Sequence, residues 1–276
     1  MSGTLYLVPT PIGNLGDISR RIADTLEQAD FIAAEDTRVT LKLLNHLRIK
    51  KPMVSYYRHN TAAGGEAVLR RLLSGESCAL VTDAGTPAIS DPGEELVAEC
   101  VARSIPVVSI PGPCALITAL AASGLPTDRF TFEGFLPMNK KNRRERLSEL
   151  RGEGRTMLFY EAPHKLCATL ADLSETFGSD RRIAVCRELT KLHEEILRTT
   201  LDQAAAHYAQ NPPKGEFVLV VEGCQAEKTE SVTLEDGVRR VLALREEGLS
   251  LKDATRQAAA ETGLPKNELY QLVLKG

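Results

Sequence analysis

Three loops rich in glycine and proline, each following an apolar run typical of a strand, hold the residues best suited to chemistry in this sequence. They span residues 8–17, 82–93 and 110–115. In an open α/β sheet, ligands bind beyond the carboxyl ends of the strands, where such loops gather, and glycine lets a ligand approach the backbone closely. We therefore predict that these three loops form the floor of one ligand site.

Three polar segments also follow strand candidates, at residues 34–38, 158–165 and 186–195. In the first of them, Glu35 and the residues after it form a compact cluster that we interpret as functional. Capping of a helix is the alternative for Asp36, because a short carboxylate accepts hydrogen bonds from the first amides of a helix. The polar segments are predicted to meet the three loops at the strand ends.

Several familiar catalytic motifs do not occur in the sequence. It has no phosphate-binding G-x-x-x-x-G-K-[ST] loop, no G-x-G-x-x-G after the first strand candidate and no H-E-x-x-H. Its six cysteines form no C-x-x-C pair, and no histidine-rich tract accompanies them. These observations disfavour nucleotide hydrolysis, nicotinamide chemistry and zinc proteolysis, and no metal is assigned.

The elements that must position these loops alternate between strands and helices. In the first half, strand candidates at 4–8, 31–34, 53–56, 78–82 and 106–110 are separated by amphipathic helical stretches. This alternation predicts a mostly parallel sheet covered by helices. In the second half, candidates at 130–135, 156–160, 183–187, 195–199 and 216–221 have fewer helices between them, which predicts a mixed sheet.

Two proline-containing turns are predicted to start helices. Asp91 before Pro92 has the pattern of an N-cap followed by proline at the first helical position, so Asp91 is not counted among the site residues. Pro113 is given the same role for a helix over 115–122. Both turns are expected to direct helix N-termini at the ligand site.

Three domains are predicted along the chain. Residues 1–122 form an α/β domain, residues 123–228 form a second α/β domain, and residues 229–276 form a small helical domain. Helices are predicted over 234–247, 250–261 and 265–274, and the last two of them fit a helix-turn-helix pattern. Because basic and acidic residues are equal in number from Leu234 onward, a DNA-binding role is disfavoured.

Composition and charge indicate an ordinary folded protein. The 276 residues are 43% hydrophobic and 26% charged, with a net charge of -3. No run of about 18 apolar residues occurs, so we expect no membrane segment and a cytoplasmic location. One basic run stands out, since residues 138–155 hold seven basic and three acidic residues. A solvated helix face is the alternative, but the position near the strand ends favours contact with the phosphate backbone of a nucleic acid.

Taken together, four segments resemble the tetrapyrrole methylase superfamily. They are Pro-Thr-Pro-Ile-Gly-Asn-Leu-Gly-Asp at 9–17, Ala-Glu-Asp-Thr-Arg at 34–38, Asp-Ala-Gly-Thr-Pro-Ala-Ile-Ser-Asp-Pro-Gly at 83–93 and Phe-Tyr-Glu-Ala-Pro-His at 159–164. The likeness is strongest to the branch that methylates a cytidine ribose 2'-hydroxyl in 16S ribosomal RNA of the small subunit. It implies two α/β domains with S-adenosylmethionine in the cleft between them, and a homodimer.

The resemblance also implies which residues act. The implied cofactor contacts are Pro11, Asp83, Gly85, Pro87, Cys114, Ala115 and Glu161. A ribose hydroxyl is a poor nucleophile while protonated, so a positioned base or cation is expected. The catalytic candidates at strand ends of the second domain are Glu161, His164, Lys165, Arg187 and Lys191. The expected RNA contacts are Arg38, Lys140, Lys141, Arg143 and Arg144.

Two other functions stay open at this point. One is a tetrapyrrole C-methyltransferase of the same superfamily. The basic run, the helical C-terminus and the turn at 83–87, where tetrapyrrole-modifying relatives carry Gly-Asp-Pro, disfavour it. The other is a non-enzymatic RNA binder in ribosome assembly, which would have no reason to bind S-adenosylmethionine.

Overall fold

The chain forms ten strands and eleven α-helices within residues 2–225 and 233–275, which the computed structural model describes. The strands are β1 (Leu5–Leu7), β2 (Phe31–Ala34), β3 (Met53–Ser55), β4 (Cys78–Val81), β5 (Val107–Ser109), β6 (Phe130–Phe135), β7 (Thr156–Glu161), β8 (Arg182–Arg187), β9 (Glu195–Thr200) and β10 (Phe217–Val221). The helices are α1 (Arg20–Gln28), α2 (Thr37–Leu47), α3 (Thr61–Leu73), α4 (Glu94–Ala102), α5 (Ala115–Ser123), α6 (Lys140–Glu149), α7 (Pro163–Phe177), α8 (Leu201–Gln210), α9 (Leu234–Glu246), α10 (Leu251–Thr262) and α11 (Lys266–Lys275).

The first sheet is parallel throughout, with strand order β3-β2-β4-β1-β5. Its central strands β2 and β4 are buried at every position. Helices cover both faces: Ile22 of α1 and Leu44 of α2 pack on one face, and Leu72 of α3 and Leu96 of α4 pack on the other. The predicted parallel sheet is therefore confirmed, and its five strands all end at the same edge.

The second sheet is mixed, as predicted, with strand order β6-β7-β10-β8-β9. β6 and β7 are parallel, whereas β10 pairs antiparallel with both β7 and β8. Side chains of α6, α7 and α8 cover one face, including Leu147, Leu170 and Tyr208. The insertion of the last strand between β7 and β8 brings residues distant in sequence together at one edge.

Helix α5 connects the two sheets. It follows β5 of the first sheet, yet Leu116, Ala119 and Leu120 pack against buried residues of the second sheet, such as Val218. Ile12, from the loop after β1, joins the same apolar cluster. The α/β part of the chain is thus tied together by an apolar contact directly beneath the loops that follow β1 and β5.

Two turns differ from their predicted geometry. α4 begins at Glu94, and its N-cap is Gly93 with a φ of 145°, so Asp91 caps no helix and Pro92 is not the first helical residue. Gly93 accommodates a backbone that would strain any other residue, and this places the helix start beyond the Asp-Pro pair. Likewise, α5 begins with Cys114 as its N-cap, so Pro113 lies before the helix.

The chain divides into two compact units, the first ending at Cys224 and the second beginning at Gln225. In the second unit, α9, α10 and α11 enclose a small core that includes Val241, Leu244, Ala258 and Leu269. The predicted boundary between residues 228 and 229 lies outside the described residues. No helix in the described ranges is both long enough and apolar enough to cross a membrane.

Candidate active site

A cavity of about 650 Å³ opens where the strand ends of the two sheets face each other. Its walls include residues from all three glycine- and proline-rich loops and from the ends of β7, β8 and β10. The lining residues from the first sheet and its loops are Ile12, Glu35, Asp83, Ala84, Gly85, Thr86, Ile89, Ser90, Asp91, Cys114 and Ala115. Those from the second sheet are Phe135, Tyr160, Glu161, Ala162, Pro163, His164, Cys186, Leu189, Lys191, Glu216, Phe217 and Val218.

Hydrogen bonds join the three loops into one floor. The backbones of Thr10 and Gly85 exchange two hydrogen bonds, of 2.9 and 3.0 Å. The Thr10 hydroxyl donates to the Thr82 carbonyl at 3.0 Å, and the Thr86 hydroxyl donates to the Pro113 carbonyl at 3.0 Å. Proline has no backbone N–H, so these loops can donate fewer backbone hydrogen bonds. The hydrogen bonds from the threonine hydroxyls therefore help to fix loops that form no regular secondary structure.

The second loop follows an unusual backbone path. Ala88 and Ser90 have positive φ values of 68° and 64°, a region that residues with a side chain adopt rarely. The Arg58 guanidinium donates to the Ser90 carbonyl at 3.3 Å and holds the loop from the side of β3. A strained path of this kind persists only where the surroundings fix it, and here it aims Asp91 into the cavity.

Three carboxylates from two segments that follow strands of the first sheet line one wall. The Asp83 amide donates to Glu35 at 3.4 Å, and Asp83 accepts a hydrogen bond of 3.2 Å from the Asp36 amide. Burial raises the pKa of both Glu35 and Asp83. At Asp91, burial together with the charges of Glu35 and Asp83 raises the pKa to about 7. Asp91 therefore gains or loses its proton near neutral pH.

Glu161 forms the rear of the opposite wall. Its residue is only 5% exposed, and its two carboxylate oxygens accept hydrogen bonds from the Ala162 amide at 2.8 Å and the Thr169 hydroxyl at 2.5 Å. Next to it, burial raises the pKa of Tyr160 to about 12, and the ring packs edge-on against Phe132 and Phe135. Glu161 holds the β7–α7 turn in place, and Tyr160 supplies an aromatic surface.

Lys191, which lines the cavity, bridges two acidic residues. Its ammonium donates to Glu188 at 2.8 Å and to Glu216 at 2.9 Å. Burial opposes the charge, but the two hydrogen bonds outweigh it, so the pKa of Lys191 is raised. Its stem packs so closely on Gly13 that a Cβ added there would be 2.4 Å from Lys191 Cγ. Lys191 is thus a cation at neutral pH that joins loops from both sheets.

Comparison with known proteins identifies the relationship. Residues 4–205 match the family model for tetrapyrrole (corrin/porphyrin) methylases, and residues 232–276 match the RsmI C-terminal HTH domain. The chain is 50% identical over 273 residues to the ribosomal RNA small subunit methyltransferase I of Synechocystis sp., covering 99% of this chain and 98% of the relative. The protein of the same name from Halalkalibacterium halodurans is 48% identical, with 98% and 94% covered.

The chain belongs to the tetrapyrrole methylase family. The two relatives from Synechocystis sp. and Halalkalibacterium halodurans are both named as ribosomal RNA methyltransferases. The resemblance inferred from the four motifs is therefore confirmed. The uroporphyrin-III C-methyltransferase from Thermus thermophilus, solved in complex with S-adenyl homocysteine, superimposes with a TM-score of 0.55 at 17% identity, covering 80% of this chain and 97% of that one. That likeness confirms the methylase fold.

The methylase cavity brings together most of the residues expected to bind the cofactor or act in catalysis. Those lining it are Asp83, Gly85, Cys114, Ala115, Glu161, His164 and Lys191. Pro11, Pro87 and Lys165 lie outside the lining, each beside or near residues that form it. Arg187 also lies outside, where its guanidinium donates to Glu195 at 3.0 Å.

The residues expected to contact RNA fall into two groups. Lys140, Lys141 and Arg144 are exposed on α6. In contrast, Arg143 is paired with Asp172 of α7, and both side chains are 14% exposed, so its charge helps to attach α6 to the fold. Arg38 is exposed, but its guanidinium pairs with Asp36, the N-cap of α2, at 2.6 Å.

Sequence reasoning missed parts of the acidic and aromatic walls. Asp91 was assigned to a helix cap, and Tyr160 and Phe135 were not singled out. Sequence position could have indicated both aromatic residues, because Tyr160 directly precedes the predicted cofactor contact Glu161 and Phe135 is the last residue of a predicted strand. Glu35 was correctly associated with a strand end but was not assigned a role. Only the three-dimensional arrangement shows that Glu35 and Asp91 face the same cavity.

Proposed function

We propose that this protein transfers a methyl group from S-adenosylmethionine to the ribose 2'-hydroxyl of a cytidine in 16S ribosomal RNA. The observation that carries the proposal is the cavity itself, built by family-matching loops in a chain about half identical to proteins named ribosomal RNA small subunit methyltransferase I. We further infer that it works in the cytoplasm, as a homodimer. Light scattering of the purified chain tests the dimer.

The cavity residues fit S-adenosylmethionine. A volume of about 650 Å³ lies within the range of small-molecule sites, which are largely apolar with a few fixed polar groups. Ile12, Leu189 and Val218 offer apolar surface for a nucleobase. The carboxylates of Glu35 and Asp83 offer acceptors for hydroxyl groups and complement the positive charge of a sulfonium or an ammonium group.

Within this site, Asp83, Gly85, Cys114 and Ala115 would hold the cofactor, largely through backbone groups of their loops. When bound, the cofactor supplies an electrophilic methyl group attached to a positively charged sulfur. The protein's contribution is to orient the RNA hydroxyl and to exclude water, because in-line displacement depends mainly on the alignment of the reacting atoms. Pro11 and Pro87 would shape the loops without touching the ligand.

The RNA would approach along α6. Phe135 lines the cavity at the end of β6, and α6 begins shortly afterwards at Lys140, so the exposed cations lie close to the cavity mouth. Arg146 fixes the helix against β6 through its ion pair with Glu133 at 2.5 Å. Lys140, Lys141 and Arg144 would then contact phosphates without reading sequence.

Cofactor binding is tested by calorimetric titration of the purified chain with S-adenosylmethionine. We expect saturable binding that Asp83→Asn weakens about 10-fold or more, because a charged hydrogen bond contributes about 1.5–3 kcal/mol. The exposed Asp180→Asn serves as the matched control and should bind as the unmodified protein does. An absence of binding would contradict the proposed enzyme and favour an RNA binder.

RNA contact is tested by the salt dependence of binding to small ribosomal subunits. Each lost phosphate contact reduces the slope of log K against log salt by about 0.7–0.9. We expect K140A/K141A to reduce the slope by about one to two and to weaken binding. The control is K50A/K51A, because these lysines precede β3 and so lie at the opposite edge of the first sheet. Equal effects of the two double variants would refute the α6 assignment.

A further inference from the structure

Asp91 lines the cavity with a carboxylate that forms no hydrogen bond or ion pair with the described residues. It is partly buried in the loop between β4 and α4. The neighbouring carboxylates differ in this respect, because Glu35 and Asp83 each accept a hydrogen bond from a backbone amide. The Asp91 carboxylate is therefore available to accept a hydrogen bond from a donor that enters the cavity.

The other charged groups of the cavity are already engaged. The two oxygens of Glu161 accept hydrogen bonds from Ala162 and Thr169. The Lys191 ammonium donates to two carboxylates, and its raised pKa keeps it protonated, so it cannot accept a proton at neutral pH. His164 lines the cavity but is exposed to solvent, whereas Asp91 is shielded by the loop around it.

The backbone fixes where Asp91 points. Ser90, with its positive φ of 64°, directly precedes it, and Arg58 holds the Ser90 carbonyl. On the other side, Gly93 is tightly packed, since a Cβ there would be 3.0 Å from both Ala88 Cβ and Leu80 Cδ2. A group held on both sides in this way stays oriented without a hydrogen bond of its own, as a catalytic group requires.

Charged and titratable groups from four segments face Asp91. Glu35 and Asp83 repel a second negative charge, Arg58 opposes them weakly, and Tyr160 faces Asp91 from the second sheet. Burial, together with the charges of Glu35 and Asp83, raises the pKa of Asp91 to about 7. A general base is most effective when its pKa is close to the working pH, because it is then both ionised and basic.

We propose that Asp91 accepts the proton of the hydroxyl group that becomes methylated, an inference that rests on the proposed function. The proton passes from the ribose 2'-hydroxyl to a carboxylate oxygen of Asp91. The freed oxygen lone pair forms the bond to the methyl carbon as the carbon–sulfur bond breaks, and the bonding pair stays on sulfur, which becomes a neutral thioether. Solvent later removes the proton from Asp91.

The test compares Asp91→Asn with the exposed control Asp180→Asn in single-turnover methylation of small ribosomal subunits. Asparagine keeps the shape of the side chain but cannot accept the proton. We expect a rate about 10²–10⁴-fold lower for Asp91→Asn, the usual contribution of a general base. Cofactor affinity measured by calorimetry should change less than about 3-fold. The rate of the unmodified protein should rise with pH up to about 7, and this inflection should be absent from the variant.

A second readout needs neither substrate nor turnover. With aspartate labelled at the carboxyl carbon, the NMR titration of the free protein should show one resonance with a midpoint near pH 7, and this resonance should be missing in Asp91→Asn. His164→Gln should keep both this resonance and the pH inflection. If Asp91→Asn methylates at the normal rate, or loses cofactor affinity instead of rate, Asp91 is not the proton acceptor. If the unmodified protein does not methylate RNA at all, the proposed function itself fails.

Discussion

Replacing Asp91 by asparagine should make the protein more stable at alkaline pH and not at acidic pH. In the folded protein, burial and the neighbouring carboxylates raise the pKa of this group from 3.8 to about 7. Between these values the folded state binds a proton that the unfolded state has lost, so the stability of the unmodified protein falls as pH rises through this window. Asparagine does not ionise, and the variant therefore avoids this loss.

The size of the effect follows from the two pKa values. A difference of about three in pKa corresponds to ~4 kcal/mol when fully expressed. Asp91 is only partly buried, and water screens its charge, so we expect about half of that figure, ~2 kcal/mol. Because pH 4.5 lies above the unfolded-state pKa of 3.8, about a quarter of the loss has already occurred there, so the stability gained by Asp91→Asn should grow by ~1.5 kcal/mol between pH 4.5 and pH 8.

Urea denaturation at these two pH values measures the difference, with Asp180→Asn as the matched control, since Asp180 is exposed and should show no pH-dependent gain. The midpoint for Asp91→Asn should move to higher urea at pH 8 and stay close to that of the unmodified protein at pH 4.5. A gain that is equal at both values, or a loss at pH 8, would refute the account of a buried carboxylate held among like charges.

Three further substitutions, one of them with a matched control, test other parts of the structure. Lys191→Met leaves two carboxylates without their cation and should lower the unfolding free energy by about 1 kcal/mol. It should also weaken cofactor binding but keep the pH inflection of methyl transfer. Loss of that inflection would make Lys191 a catalytic residue. Gly13→Ala places a Cβ 2.4 Å from Lys191 Cγ at a φ of 146° and should cost about 1–3 kcal/mol in urea denaturation. The matched control is Gly152→Ala, whose Cβ would meet nothing within 4 Å, and it should change the unfolding free energy by less than ~0.5 kcal/mol. If Gly13→Ala and Gly152→Ala lose the same stability, the steric argument is wrong. Arg143→Met breaks the shielded pair with Asp172 and should cost about 2–3 kcal/mol while leaving the salt slope of RNA binding unchanged; a reduced slope would restore Arg143 as an RNA contact.

The strands and the three loops were predictable because their signals are local. The apolar run at β2 and the run at β6 have the predicted bounds, Phe31–Ala34 and Phe130–Phe135. Alternation of strands with helices was sufficient to predict a parallel first sheet and loops at one edge. That the second sheet is mixed followed from the smaller number of helices between its strands.

The parts that were missed depend on contacts between distant segments. Asp91 followed by Pro92 has the local pattern of a helix start, and only the backbone at Gly93 moves that start to Glu94. The pairing of Lys191 with Glu216 requires β10 to lie between β7 and β8, which residue spacing does not specify. Charge runs are equally ambiguous, because Arg143, which is half-buried and paired with Asp172, and the exposed Arg144 are adjacent in one basic segment.

The most direct test of the proposed function is the transfer of label from methyl-labelled S-adenosylmethionine to small ribosomal subunits taken from cells that lack this protein. Nuclease digestion and mass spectrometry would then locate the label. We predict label on the ribose of a single cytidine in 16S ribosomal RNA. Bound cofactor with no label on RNA, or label on a base instead of a ribose, would contradict the proposed reaction.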